Sequence, residues 1–355
     1  MKTIFIFGAG ASHSAHEKDL PKHMIPPLTK DLFQGCNQYD IHYAKEIGLN
    51  INDLNYIEDE SANFTENGGT NIEKWLTEKW EKAKIIKDDF HRKAEFNNIA
   101  TITFYIWVTL LKISESVYRD VKNCRGSNMY RRLLKKIHDK KINFGIINFN
   151  YDLLLDLAFR DVFNVDLQNE YVSTHYIKPH GSVNWFLNKK TESDLENVID
   201  SDPIVKVRTA MRNMYNEESL PLSNLTVLDP ENKNLYSLID IFKTLNTPYF
   251  LPLIFLPLTS KDYSLVSGFE KIIMDNAKKM IKDASEIYLI GYRANDKIIL
   301  DLLNMINSSN VKIHIVNTND VSARKIREKL LKKFPNKIIR GTINSNGFPD
   351  FVHNF

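Results

Sequence analysis

Cysteine is scarce. The chain of 355 residues holds two, Cys36 and Cys124. They are far apart and in no metal-ligand spacing, which excludes a disulfide scaffold and fits a reducing, cytoplasmic setting. An excess of one charge is missing too. The 47 basic and 44 acidic side chains leave a formal charge of +3, so nothing calls for nucleic acid, which demands a basic stripe. No apolar run is long enough for a membrane. The stretch Ile99 to Ile113 (IATITFYIWVTLLKI) meets Lys112 well short of the about 20 residues a bilayer requires and reads as a buried helix. TIFIFGAGA after Lys2 mimics a secretion signal, but it is short, broken by glycine and followed by histidine and charge. Internal repeats and low-complexity tracts are absent. What is present is 43% apolar residues, enough for a globular chain with a real core.

Short apolar runs bounded by turn residues predict buried strands at Thr3 to Phe7, Asn143 to Ile147, Ser173 to Ile177, Glu286 to Ile290 and Val311 to Val316. Helical patterns cover Leu28 to Ile47, Asn71 to Lys87, Phe96 to Val121, Met129 to His138, Val266 to Ile281, Asp296 to Ile306 and Ala323 to Phe334. Strands separated by helices argue for an α/β fold, a Rossmann-like parallel sheet with helices on both faces. A helical layer is expected over about 39–122. The polar, proline-containing stretch 189–257 breaks the rhythm and predicts an inserted cap subdomain, with helix-like pieces near Val205 to Tyr215 and Leu235 to Leu245. All of this reads as one domain over 1–355.

Four polar turns follow four of the strands. They are GAGAS (Gly8, Ala9, Gly10, Ala11, Ser12), NFNYD (Asn148 to Asp152), KPHGS (Lys178 to Ser182) and GYRAND (Gly291 to Asp296). In open α/β sheets, ligands bind at the carboxyl ends of the strands, so four such turns converge on one crevice. A glycine turn lets backbone approach a phosphate, and the next helix supplies N–H groups. The ordinary dinucleotide fingerprint is a poor match. His13 stands at its third glycine, and Asp31, near the expected acidic position, follows two prolines in a helical context.

The order of these motifs resembles the sirtuin-like family. The resemblance spans roughly residues 1–320 and is carried by few residues, the N-x-D and H-G pair being the specific part. It implies that Gly8, Ala9, Gly10, Ala11 and Ser12 line the pyrophosphate of NAD, with Gly181 and Ser182 beside them. Asn150 and Asp152 would sit at the nicotinamide ribose, and His180 would be catalytic. Gly291 and Tyr292 would touch the adenosine side, and Asn317 the ribose. Protein-deacylating sirtuins carry a four-cysteine zinc ribbon that two cysteines cannot build. Their arginine-bearing stretch is here Met24-Ile25-Pro26-Pro27-Leu28. With tyrosine inside NFNYD and no zinc, the chain looks instead like the sirtuin-like NAD hydrolases of bacterial anti-phage defence. That implies an NAD glycohydrolase releasing nicotinamide, with ADP-ribose or a cyclic form as the other product. It would be an abortive-infection effector, without a metal. It would be restrained by homo-oligomerisation or by a partner such as a HerA-like ATPase or an Argonaute-like protein. Two alternatives stay open: a non-catalytic NAD or ADP-ribose sensor, and an NAD-dependent protein deacylase.

The chemistry fits those residue types. Nicotinamide leaves NAD neutral, so no acid is needed. The ribose becomes oxocarbenium-like, as in glycoside hydrolysis. An amide (Asn150) can hold a hydroxyl or water, and a carboxylate (Asp152) favours positive charge. A histidine (His180) can take a proton at neutral pH. This requires residues 150 and 180 to face each other across one cleft. Blander roles compete. Asn150 and Asp152 can cap the helix after them, and His180 can be a hydrogen-bonded loop histidine. His175 reads as structural within its strand and Asp296 as a helix cap. Lys178 and Arg293 are either surface charge or a lure for pyrophosphate. His13, His16 and His23 have no metal spacing. Tyr105 and Trp107 read as core, and Lys325 to Lys337 as the solvated face of the last helix.

Overall fold

A computed structural model describes residues 2–16, 25–28, 51–66, 72–123, 128–171, 175–188, 220–221, 225–229, 235, 241, 250–254, 266–267, 269–293, 297–306, 311–334 and 341–355. In chain order the elements begin with β1 (Lys2–Phe7), α1 (Ala9–His13), α2 (Ile51–Glu66), α3 (Ile72–Lys84), α4 (Asp89–Asn123), α5 (Met129–Asp139) and β2 (Phe144–Asn148). There follow α6 (Leu154–Phe163), α7 (Leu167–Glu170), β3 (Tyr176–Ile177), β4 (Gly181–Asn188), β5 (Leu220–Pro221), β6 (Leu225–Val227), β7 (Phe250–Ile254) and β8 (Val266–Ser267). The last are α8 (Phe269–Lys282), β9 (Ala284–Ile290), α9 (Lys297–Asn304), β10 (Lys312–Val316), α10 (Asp320–Lys333), β11 (Ile343–Asn344) and α11 (Gly347–Asn354). The helix expected at 28–47 lies almost wholly outside the described residues, as do both cysteines.

The chain divides into two compact units. One comprises Met1–Pro26, Ser116–His180 and Glu270–Phe355; the other comprises Pro27–Glu115 and Gly181–Phe269. The first is an α/β unit around a six-stranded sheet in the order β11-β10-β9-β1-β2-β3, with every pairing parallel. Taken by their own chain order, its strands run 3-2-1-4-5-6, the Rossmann-like arrangement, with direction of winding reversed between β1 and β9. Strands of a sheet covered on both faces read as continuous apolar runs. Accordingly Ile4, Phe5, Ile6 and Phe7 are fully buried, each side chain contributing about 1.5–3 kcal/mol of burial. The five expected strands are all present, with one change. Of the stretch 173–177 only Tyr176–Ile177 forms the described strand, and His175 precedes it, exposed, its carbonyl accepting from Ile146 N (2.7 Å).

The second unit holds α2, α3 and the first part of α4. By length and composition α4 could cross a membrane, yet 83% of its apolar window is buried inside the protein. Tyr105 and Trp107 are core residues, and Trp107 Nε1 donates to Val183 O (2.9 Å) in β4. The described part of the segment 189–257, expected as an inserted cap, contributes strands. β6 and β7 pair antiparallel with β4, and β5 pairs parallel with β8. The apolar stretch FLPLI forms β7. Of the helix-like pieces, only Leu235 and Ile241 are described, both fully buried.

Candidate functional site

The parallel register of the first unit brings the expected turns together. Each strand hands its next residue's amide to the end of its neighbour. Phe149 N donates to Phe7 O, Gly8 N to Ile290 O and Gly291 N to Val316 O, each at 3.0 Å, and Asn317 N donates to Asn344 O at 2.9 Å. Ile147 pairs with Ile177, so Lys178 begins the next turn in line. GAGAS, NFNYD, the KPH of KPHGS, and GYR therefore stand side by side at one edge of one sheet. Gly181 and Ser182 do not continue that turn. They open β4, buried, in the second unit.

The glycines of the opening turn answer first to another turn. Gly291 is left-handed (φ +58°), and a Cβ there would lie 2.1 Å from the Ala11 nitrogen. A Cβ on Gly10 would come within 2.9 Å of Gly291 O, and one on Gly8 within 2.6 Å of the Tyr292 ring. Two backbones meet here, which only glycine permits. Gly10 N donates to Gly291 O (3.0 Å) and Ala11 N to Gly8 O (2.8 Å). Among the described residues, the turn amide left without a partner is that of Ala9.

Ser12 is the centre of a buried polar network. Its Oγ donates to Asp152 Oδ1 (3.2 Å), lies 2.9 Å from Tyr130 OH, and accepts from Asn150 Nδ2 (2.9 Å). Asn150 Nδ2 also reaches Tyr130 OH (3.3 Å). Proton directions follow from the carboxylate. An ionised Asp152 only accepts, so the single Ser12 hydrogen goes to it. Ser12 must then accept from Tyr130 and from Asn150, and its capacity is full. Asn150 spends both amide hydrogens inward. Its Oδ1 accepts from no described residue, although the side chain is only 4% exposed. Asn148 shapes the bend: its Oδ1 accepts from Asn150 N (3.0 Å) and its Nδ2 donates to Tyr176 OH (3.0 Å).

Asp152 has two roles at once. Its Oδ1 also accepts from Leu154 N (3.1 Å), so it serves the start of α6 as well as Ser12. Asn150 makes no such cap. Burial pushes the Asp152 carboxyl above the usual carboxylate range. The Lys178 ammonium, the Leu154 amide and the Ser12 hydroxyl oppose that, and Asp156 reinforces it. Lys178 is neither surface charge nor a phosphate lure. It is fully buried, and its three hydrogens go to Asp156 Oδ2 (3.0 Å), Asp156 Oδ1 (3.2 Å) and Asp152 O (2.9 Å).

His180 packs on the neighbours of Asn150. Its ring meets Phe149 edge-on (4.8 Å between centroids) and lies stacked 5.9 Å from Tyr151. Phe149 in turn stacks on Tyr292 (4.8 Å). The structure thus joins Asn150, Asp152, His180, Ser12, Gly8, Gly10, Gly291 and Tyr292 in one site, with the imidazole 4% exposed and flanked by aromatic rings. Asn317 is at the same sheet edge, where its Oδ1 accepts from Thr318 N (2.8 Å). Arg293 is exposed, Asp296 and His23 lie outside the described residues, and His13 Nδ1 donates to Pro26 O (2.9 Å).

Tyr130 is the residue that motif reading missed. It sits on α5, whose buried positions are Met129, Tyr130, Leu133, Leu134 and Ile137. That spacing turns the phenol inward, and a buried tyrosine hydroxyl needs a partner. Asn128 caps the helix by accepting from Arg131 N (3.2 Å), and Met129 N donates to Ala15 O (2.8 Å), tying α5 to the segment after the glycine turn. The chain matches no protein-family model and no curated protein.

Proposed function

We propose that the protein is an NAD glycohydrolase. The carrying observation is the arrangement of Asn150. Its amide hydrogens are committed to Ser12 and Tyr130, its Oδ1 is uncommitted, and its two sequence neighbours pack on His180. In this reading Oδ1 accepts a hydrogen bond from the attacking water or from a ribose hydroxyl. The bond from the ribose anomeric carbon to the pyridinium nitrogen breaks, and its electron pair makes nicotinamide neutral. Water adds to the anomeric carbon and gives its proton to His180, leaving ADP-ribose. Asp152 supplies negative charge near the developing cation. The resemblance to defence hydrolases extends the proposal to an abortive-infection effector that is held inactive by self-assembly or by a partner protein.

A second reading is favoured by one observation. Phe149 and Tyr151 crowd the imidazole, which suits a module that holds NAD or an ADP-ribose derivative without cleaving it. Nicotinamide release from NAD by the purified chain, with and without acylated peptide, separates the readings. Release without peptide supports the hydrolase. Asn150→Ala and His180→Ala should each lower it, the histidine change by about 10²–10⁴-fold. Binding without release supports the sensor, and release only with acylated peptide supports a deacylase.

A further inference from the structure

We infer that Tyr130 is a positioning residue that, with Ser12, fixes which end of the Asn150 amide is presented to a ligand. The inference rests on the reading of Asn150 as the residue that holds water or a ribose hydroxyl. An asparagine side chain is nearly symmetric in shape, so packing alone does not choose between its oxygen and nitrogen. Here the choice is made by acceptors. Ser12 Oγ and Tyr130 OH both lie within reach of Nδ2, at 2.9 and 3.3 Å. Ser12 can only accept there, because its hydrogen is held by Asp152. Tyr130 gives its own hydrogen to Ser12 and so meets the amide with a lone pair. A flipped amide would aim its oxygen at two oxygens with no hydrogen to offer.

The tyrosine is fixed for this task. It is fully buried, edge-on to Phe7 (5.3 Å) and against Phe348 (5.1 Å). Burial, then the nearby Asp152 charge, hold its phenol well above its ordinary pKa, so it stays a hydroxyl across the working pH range. It reaches the loop from α5, 20 residues before Asn150 and 118 after Ser12, so three separate chain segments converge on one amide.

The test uses the full chain labelled with ¹⁵N-asparagine, with the Asn150 side-chain signals assigned through Asn150→Asp. Tyr130→Phe removes one oxygen and keeps the ring. Ser12→Ala removes the other acceptor and serves as the second variant should the first fold poorly. The expected result is slow hydrogen exchange of the Asn150 amide in the wild type. Exchange should be about tenfold faster in each variant, the scale of one lost buried hydrogen bond. Where the wild type releases nicotinamide, Tyr130→Phe should lower kcat by a similar factor with KM for NAD little changed. It should have no added effect in the Asn150→Ala background. Unchanged amide exchange overturns the inference, as does faster exchange with an unaltered kcat in an active wild type. If the wild type releases no nicotinamide, the hydrolase reading fails, and amide exchange alone decides the role of Tyr130.

Discussion

The NFNYD loop has two anchors of different chemistry. On one side is a buried ion pair, Lys178 with Asp156, and the ammonium also takes the loop carbonyl of Asp152. On the other is the neutral cluster of Ser12, Tyr130 and Asn150. The ion pair is saturated: three ammonium hydrogens meet three oxygens, and nothing is left over. The neutral cluster is saturated on all atoms but one, Asn150 Oδ1. The charged anchor therefore fixes the backbone, and the neutral one fixes a side chain so that a single acceptor remains. Holding the loop and using it are separate jobs, given to separate residues.

The sharpest way to break this division is to unpair the charged anchor. Lys178→Met leaves Asp156 buried without its partner. Such a loss costs about 3–5 kcal/mol, and urea unfolding should show it. Lys178→Met combined with Asp156→Leu should recover most of the stability, because a packed apolar pair substitutes well for a buried ion pair. A single variant no less stable than the double would mean that the pair is not the anchor.

The meeting of the two glycine turns comes next. Gly291→Ala places a methyl 2.1 Å from the Ala11 nitrogen, at a left-handed position. Strain and overpacking together should cost roughly 2–4 kcal/mol. Thermal unfolding reads the loss. The displaced residues Gly10 and Ala11 immediately precede Ser12, so the Asn150 side-chain amide signals should shift as well. Unfolding at the wild-type temperature with unshifted signals would show that the turns are independent.

Much of this was legible in the sequence, and the reason is the same throughout. The central strand β1 is buried on both faces and appears as a short unbroken apolar run, β9 and β10 end in apolar residues, and the turns after them were identifiable as candidate site loops. Asn150, Asp152 and His180 are found together there. What was not legible depends on partners distant in sequence. Lys178 looks like any basic residue until Asp156 lies beside it. Ser12 looks like a phosphate ligand until its one hydrogen is claimed by Asp152, 140 residues on. Tyr130 belongs to no motif. KPHGS reads as one turn, yet its last two residues begin β4, whose partners β6 and β7 come from the distant segment expected as an inserted cap.

The smallest expected effect lies where the two anchors join, at Asp152. Its carboxyl serves the neutral cluster, and its backbone carbonyl serves the lysine. Burial raises its pKa in the folded state. A folded carboxyl that binds its proton more tightly than the unfolded one loses stability as pH rises through the raised value. It regains that stability as pH falls toward the ordinary carboxylate range near ~3.9. Asp152→Asn removes this titration. The stability of the wild type relative to the variant should therefore increase as pH is lowered through the raised value toward the ordinary carboxylate range, by less than either substitution above changes it. Urea unfolding of both proteins across that range measures the difference. The proton has a second consequence. A neutral carboxyl can donate to Ser12 and so free the serine hydrogen to point at Asn150, which removes the reason for the amide to face one way. The protection of the Asn150 amide, measured against the intrinsic exchange rate at each pH, should then fall over the same interval in which the stability difference moves. A stability difference that moves the other way would mean that the ionised carboxyl is the better-held form, with Lys178 and the two hydrogen bonds outweighing burial.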